Sequence, residues 1–263
     1  MGANRKFDVW LFLCVAAVLL VTPSAMAQAA LDEGQTAAVR FAWGDPLPIS
    51  DEFNDYTGRP NPSIWSDPSA WGPDGCGRGH SGNGRRCSKN SVVADGILTM
   101  TGESNGDTGW LRQKLDTRSG RWEARVRSYN VGSSGEQYHP LLLIWPTSEQ
   151  RVQDGEYDWL ENNTAGAACA EAFLHYPGET PKVQEHAEET DCGAPLSEWH
   201  NIAFEWTPAA VKGFIDGVEW FSYSEADITA MPSGHLNIQL DNFNSTRATR
   251  FEVDWVRTYP VRE

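Results

Sequence analysis

Three carboxylates fall within six positions of one segment, Gly155-Glu156-Tyr157-Asp158-Trp159-Leu160-Glu161-Asn162. On a β-strand Glu156 and Asp158 share a face, because side chains alternate with a period of two. Glu161 follows Glu156 by five positions, an odd offset that would send it to the opposite face. One extra residue inserted as a β-bulge within Trp159–Leu160 restores the phase and returns Glu161 to its neighbours. Three carboxyl groups on one face repel one another and raise at least one pKa. Double-displacement cleavage of a glycosidic bond needs that condition, with an ionised nucleophile and a protonated acid about 5–5.5 Å apart. Alternate strand residues are about 6.6 Å apart, so Glu side chains leaning inward on a curved sheet would close the gap across Asp158. The competing reading is a solvated acidic face. Trp145 ahead of the segment and Trp159 inside it weigh against that reading, since sugar rings stack on aromatic faces.

The elements that must carry these groups read as strands. In Arg121–Arg127, Trp122, Ala124 and Val126 alternate with Arg121, Glu123, Arg125 and Arg127, the pattern of a sheet with one wet face. Phe251, Val253 and Trp255 repeat it, as do Ile202, Phe204 and Trp206, and Val211–Ile215 runs into an Asp216-Gly217 hairpin signal. Further strands are expected at Val92–Thr101, Trp110–Leu115, Pro140–Trp145, Gly155–Glu161, Ala170–Tyr176 and His235–Leu240. Trp122, Trp206 and Trp255 are expected in the core. The Gly-rich stretch Trp71–Gly84 reads as a long surface loop. Short strands separated by turn residues, with no internal repeat and no long helix, point to an all-β antiparallel sandwich.

At the N-terminus Arg5 and Lys6 precede an apolar run from Trp10 to Val21, and Ala25-Met26-Ala27 supplies a small-residue cleavage site. Residues 1–27 therefore read as a secretory signal peptide, and the protein as secreted and extracellular. Residues 28–45 are expected to be a flexible lead-in, and residues 46–263 a single domain. The formal net charge is −15, and cleavage, removing Arg5, Lys6 and Asp8, makes it one unit more negative. Such a chain has no electrostatic reason to seek nucleic acid or an anionic membrane, and a neutral polysaccharide is an acceptable partner. A monomer is expected. Cys14 would leave with the signal, and Cys76, Cys87, Cys169 and Cys192 remain in an oxidising compartment. Three pairings are possible, of which proximity favours Cys76–Cys87 and Cys169–Cys192. A zinc site is the alternative, disfavoured by the absence of any C-x-x-C spacing.

The carboxylate segment resembles the E-x-D-x-x-E motif of glycoside hydrolase family 16, in its bulged branch of laminarinases, agarases and carrageenases. The resemblance covers nearly the whole chain after the signal. Asp51-Glu52-Phe53, Gly120-Arg121-Trp122-Glu123-Ala124-Arg125, Leu143-Ile144-Trp145-Pro146, Trp199-His200-Asn201, Glu205-Trp206, Ile215-Asp216-Gly217 and Asp254-Trp255-Val256-Arg257 follow in the family's order. It implies a two-sheet β-jelly roll with a concave substrate cleft. It also implies Glu156 as nucleophile, Asp158 as assisting acid and Glu161 as acid/base. His175 resembles a histidine that bulged members place beside these groups, the alternative being a strand histidine held by a main-chain hydrogen bond. Trp145 matches an aromatic sugar platform, the alternative being core packing, and Arg112 a cleft arginine, otherwise an exposed strand charge. Trp110 stands between platform and core, and Asn237 with Gln239 between polar cleft residues and a solvated edge. No catalytic metal or other cofactor is implied. Some relatives hold a structural Ca²⁺ near the C-terminal strand, where Asp254 is a candidate ligand or simply a salt-bridged aspartate.

The function expected is a retaining endo-β-glycanase acting on β-1,3-glucan. The alternatives are a galactan hydrolase, a transglycosylase using the same carboxylates, and a glycan-binding module of the same fold. Asn162-Asn163-Thr164 and Asn244-Ser245-Thr246 fit the glycosylation pattern and are expected to be coincidental.

Overall fold

The computed structural model describes residues 35–178 and 184–261. The expected signal peptide lies outside the described residues. Two seven-stranded sheets dominate, every strand pair within them antiparallel. The cleft-bearing sheet runs, edge to edge, Trp65–Ser66, Trp110–Gln113, Gly234–Asn242, Tyr138–Pro146, Glu156–Glu161, Glu171–His175 and Gln184–Glu188. The outer sheet runs Val218–Tyr223, Val211–Ile215, His200–Trp206, Gly120–Asn130, Thr249–Tyr259, Ile97–Gly102 and Ser91–Ala94. A small third sheet joins Cys76–Arg78, Arg85–Cys87 and Asp107–Thr108.

The sandwich forms because the inward residues of both sheets are large and apolar. Trp122, Ala124 and Val126 meet Tyr157, Trp159 and Leu160 around Phe204 and Trp206, all at most 1% exposed. The two disulfides join Cys76 to Cys87 and Cys169 to Cys192. Each should stabilise the fold by about 2–4 kcal/mol.

Four expectations need correction. Val92–Thr101 is two strands, Ser91–Ala94 and Ile97–Gly102, folded at Asp95-Gly96. Both turn residues take positive φ, +52° and +78°, as do Asp216 and Gly217 at the hairpin that was expected. This is the requirement of a tight hairpin turn, and an Asp-Gly pair meets it.

Trp255 is buried, at 8% exposed, but lies outside the cluster between the two sheets. A register shift between Val253 and Trp255 turns it onto the outer face, where the Arg257 guanidinium lies 4.2 Å from its ring centroid, and Val256 takes the inward place.

Glu123 is not on a wet face. It is fully buried, accepting hydrogen bonds from Ala37 N at 2.6 Å and Ala38 N at 3.1 Å.

The cause is also the fourth correction. Within the expected flexible lead-in, residues 35–45 are docked on the outer sheet. A helical turn Ala37–Arg40, capped by Thr36, is followed by Trp43, which is 1% exposed and packs with Ala203, Phe214 and Tyr259. Small and aromatic apolar side chains cover apolar sheet surface that water would otherwise meet.

Candidate active site

The carboxylate strand Glu156–Glu161 starts at a glycine that nothing else can replace cheaply. Gly155 has φ +85°, and a Cβ there would meet the His175 carbonyl oxygen at 2.7 Å. A helical turn, Arg151–Asp154, precedes it and brings Arg151 Nε to 3.5 Å from Glu156 Oε2.

Asp158 pairs with Leu143 and Leu160 with Leu142, so Trp159 is the extra residue. The bulge turns both Trp159 and Leu160 into the core, where Trp159 stacks on Phe204 at 6.1 Å and 11°. Trp159 is thus not a sugar platform. Glu161 emerges on the same face as Glu156 and Asp158, and the three line one cleft of about 1060 Å³.

The register across the sheet fixes the rest of the floor. Glu156 pairs with His175 on one side, and Asp158 with Phe173. On the other side, rows run Asp158–Leu143–Asn237–Arg112 and Glu161–Leu141–Gln239–Trp110. All of the residues singled out from the sequence, namely Glu156, Asp158, Glu161, His175, Trp145, Arg112, Trp110, Asn237 and Gln239, line this cleft. His175 Nε2 lies 3.4 Å from Asp158 Oδ2. Trp145 Nε1 donates to Glu149 Oε2 at 2.7 Å, and Arg112 pairs with Asp116 at 3.0 Å and Glu149 at 3.8 Å. Asn237 and Gln239 are buried, not a solvated edge.

Sequence reasoning passed over other cleft residues. Asp241 continues the two-residue period of Asn237 and Gln239, and His139 that of Leu141 and Leu143, so both were accessible to the alternation rule. Arg86 donates to both oxygens of Asp241, at 2.7 and 3.0 Å, and to Gln239 Oε1. His80 Nδ1 lies 3.2 Å from Asp241. The Phe243 ring is stacked between His80 at 4.2 Å and His139 at 4.0 Å, and His139 Nδ1 stands 3.9 Å from Glu161 Oε1. Trp71, His80 and Arg86 come from the Gly-rich loop and the strand after it, where no periodicity marks them.

Burial raises the Glu156 carboxyl well above the usual range, and the Asp158 charge adds to this. Asp158 is raised well above its range by burial and then by Glu161, with a side-chain hydrogen bond to Glu156 acting the other way. Burial lowers His175, keeping its imidazole neutral near pH 7. Asp241 is also fully buried, which opposes ionisation, but Arg86 and His80 overcome this and hold it below the usual range. The cleft therefore separates protonated from ionised carboxyls by environment.

Ligand atoms of Glu156, Asp158 and His175 lie within 4.8 Å of one another, a spacing a cation could share. Asp254 faces Arg125 Nε at 3.6 Å, so a calcium ion there would compete with a guanidinium for its carboxylate. Asn162 is fully buried and donates to the Cys169 carbonyl at 2.7 Å, which removes it as a glycan acceptor in the folded protein.

No protein-family model matches the chain, and no curated protein resembles it significantly in sequence. Solved structures do. The laminarinase catalytic domain from Thermotoga maritima MSB8 superposes with a TM-score of 0.63 at 17% identity, covering 83% of this chain and 99% of that one. A LamA variant from Zobellia galactanivorans, in complex with laminaritriose and laminaritetraose, gives 0.62 at 21%, covering 82% and 99%. SCLam, a non-specific endo-β-1,3(4)-glucanase of family GH16, gives 0.60 at 17%, covering 83% and 95%. The fold is that of the family GH16 laminarinases. Within a GH16 fold, the bulged carboxylate strand and the groove beside it are the features on which a chemical reading turns.

Proposed function

We propose that this protein is a secreted, monomeric, retaining endo-β-glycosidase of β-1,3-glucan. The observation that carries the reading is the bulge at Trp159, which sets Glu156, Asp158 and Glu161 on one face of an open groove. In the first step Glu156 attacks the anomeric carbon while Glu161 protonates the departing glycosidic oxygen, giving a glycosyl-enzyme. In the second, Glu161 takes a proton from water, which displaces Glu156 with net retention. Asp158, raised by burial and by the nearby Glu161, holds the proton beside Glu156 and leaves the nucleophile to ionise. Neutral His175 beside Asp158 adds no charge that would disturb this division. Trp145, Trp110, Arg112, Asn237 and Gln239 bind the chain, the aromatic rings by stacking and the polar groups by hydrogen bonds. The solved relative with laminari-oligosaccharides supports β-1,3-glucan as the substrate, and the signal-like N-terminus supports secretion.

Glu156→Gln should abolish release of reducing ends from laminarin, with the wild type giving β-configured products by NMR. Substantial residual activity in the variant, or α-configured products from the wild type, would refute the assignment.

A further inference from the structure

A second aromatic feature stands in the cleft, away from the carboxylates. The rings of Trp71 and Trp110 lie 4.6 Å apart at 50°, and both line the groove. Trp110 is 8% exposed, whereas Trp71 is 44% exposed. An open indole set against a second ring inside a groove is an apolar, aromatic surface of the kind that lines ligand sites.

The position is firmly built. Trp71 ends the helical turn Pro68–Ala70, whose cap, Asp67, is gripped by Arg59 at 2.9 and 3.0 Å. The indole lies directly on the backbone of Gly77, where a Cβ would come within 2.4 Å of Trp71 Cε3. Gly77 is the middle residue of Cys76–Arg78, and the Cys76–Cys87 bridge ties that strand to its partner. Glycine, disulfide and capped turn thus hold one face of Trp71 and leave the other to the groove.

The register gives the distance. Trp110 lies in the Glu161–Leu141–Gln239–Trp110 row, three strand spacings from the carboxylate strand, or about 14 Å at ~4.8 Å each. A glycan lying across the strands with its scissile bond at Glu161 meets these rings only with a sugar several units from the cut.

Building on the glycanase reading, we propose that Trp71 and Trp110 form a distal subsite for an uncharged hexopyranosyl ring. Gly77 of the Cys76–Cys87 loop backs Trp71, and the subsite makes the enzyme selective for long chains. The apolar C–H face of a pyranose matches an exposed indole face, and Gln239, held by Arg86, supplies a polar floor between the subsite and the cut site.

The test compares laminarihexaose with laminaritriose, which cannot span both places while being cut. In Trp71→Ala, kcat/KM on the hexaose should fall roughly ten-fold through KM, equivalent to about 1.4 kcal/mol. The triose value should change less than two-fold. Trp71→Phe should recover most of the loss, and Cys76→Ser/Cys87→Ser should reproduce its direction. Equal losses on both substrates, or none on either, overturn the subsite. Binding of neutral β-glycans to the Glu156→Gln protein separates the two readings. A length-dependent loss on adding Trp71→Ala, seen with another neutral glycan or without any cleavage by the wild type, upholds the subsite and sinks the β-1,3-glucanase assignment. No binding to any neutral β-glycan overturns both.

Discussion

In the proposed mechanism Asp158 decides which carboxyl can attack. Its side chain is 3% exposed, its Oδ1 has no hydrogen-bond partner, and burial with the nearby Glu161 pushes its pKa up. Glu156 is pushed the same way by burial and by Asp158, so the two cannot ionise together at low cost. Arg151 stands 3.5 Å from Glu156, which favours the anion there and the proton on Asp158. On that mechanism the acid limb of kcat/KM should lie above the usual carboxylate range, because attack requires ionised Glu156. Asp158→Asn leaves a neutral neighbour that cannot exchange a proton with Glu156, so the second ionisation of the pair should vanish from the pH–rate profile, while kcat falls roughly 10²-fold. An unchanged profile would mean that Asp158 does not govern the nucleophile.

At the scale of elements, the docked segment around Ala37–Arg40 depends on a buried acid. Burial raises Glu123 to about 7, against the hydrogen bonds from Ala37 N and Ala38 N and the charge of Arg257, which favour the anion. A carboxyl raised in the folded state stabilises it fully below the unfolded pKa, near 4.3, and loses that contribution as pH rises through the folded value. The decline between about pH 4.5 and 7 is roughly 3 kcal/mol for a shift of this size. In Glu123→Gln the fall in Tm over that range should flatten, and equal slopes in both proteins would contradict it.

Strand elements were legible because alternation survives wherever the backbone is regular, as in Trp122, Ala124 and Val126. The bulge at Trp159 could be inferred because chemistry demanded that Glu161 face its neighbours. No such demand marked the shift before Trp255, and a period-two reading put that side chain on the wrong face. The docking of Trp43 was hidden for another reason: a single tryptophan in an Ala-rich lead has no periodicity, and its partners lie some 160 residues or more along the chain.

Over the whole molecule, charge and shape together bear on which polymer the proposed glycanase would accept. The chain carries a formal −15, and the groove concentrates acid in Glu149, Glu156, Asp158, Glu161, Glu171 and Asp241. The arginines lining it each face a carboxylate: Arg86 pairs with Asp241, Arg112 with Asp116, and Arg151 with Glu156. A sulfated chain entering the groove would meet a negative field without a dedicated cation, whereas a neutral glucan feels neither attraction nor repulsion at long range. Between about 0.05 and 0.5 M salt the Debye length shrinks from over 10 Å to about 4 Å, enough to screen such a field. Initial rates at low substrate should show kcat/KM on laminarin changing less than two-fold across that range. Cleavage of a sulfated galactan that outpaces cleavage of laminarin and falls steeply with salt would mean that productive binding relies on attraction to an anionic substrate, and the neutral-glucan assignment would have to be abandoned in favour of a charged galactan. A steep rise confined to sulfated polymers would instead show the acidic groove rejecting them, as its ion pairs require.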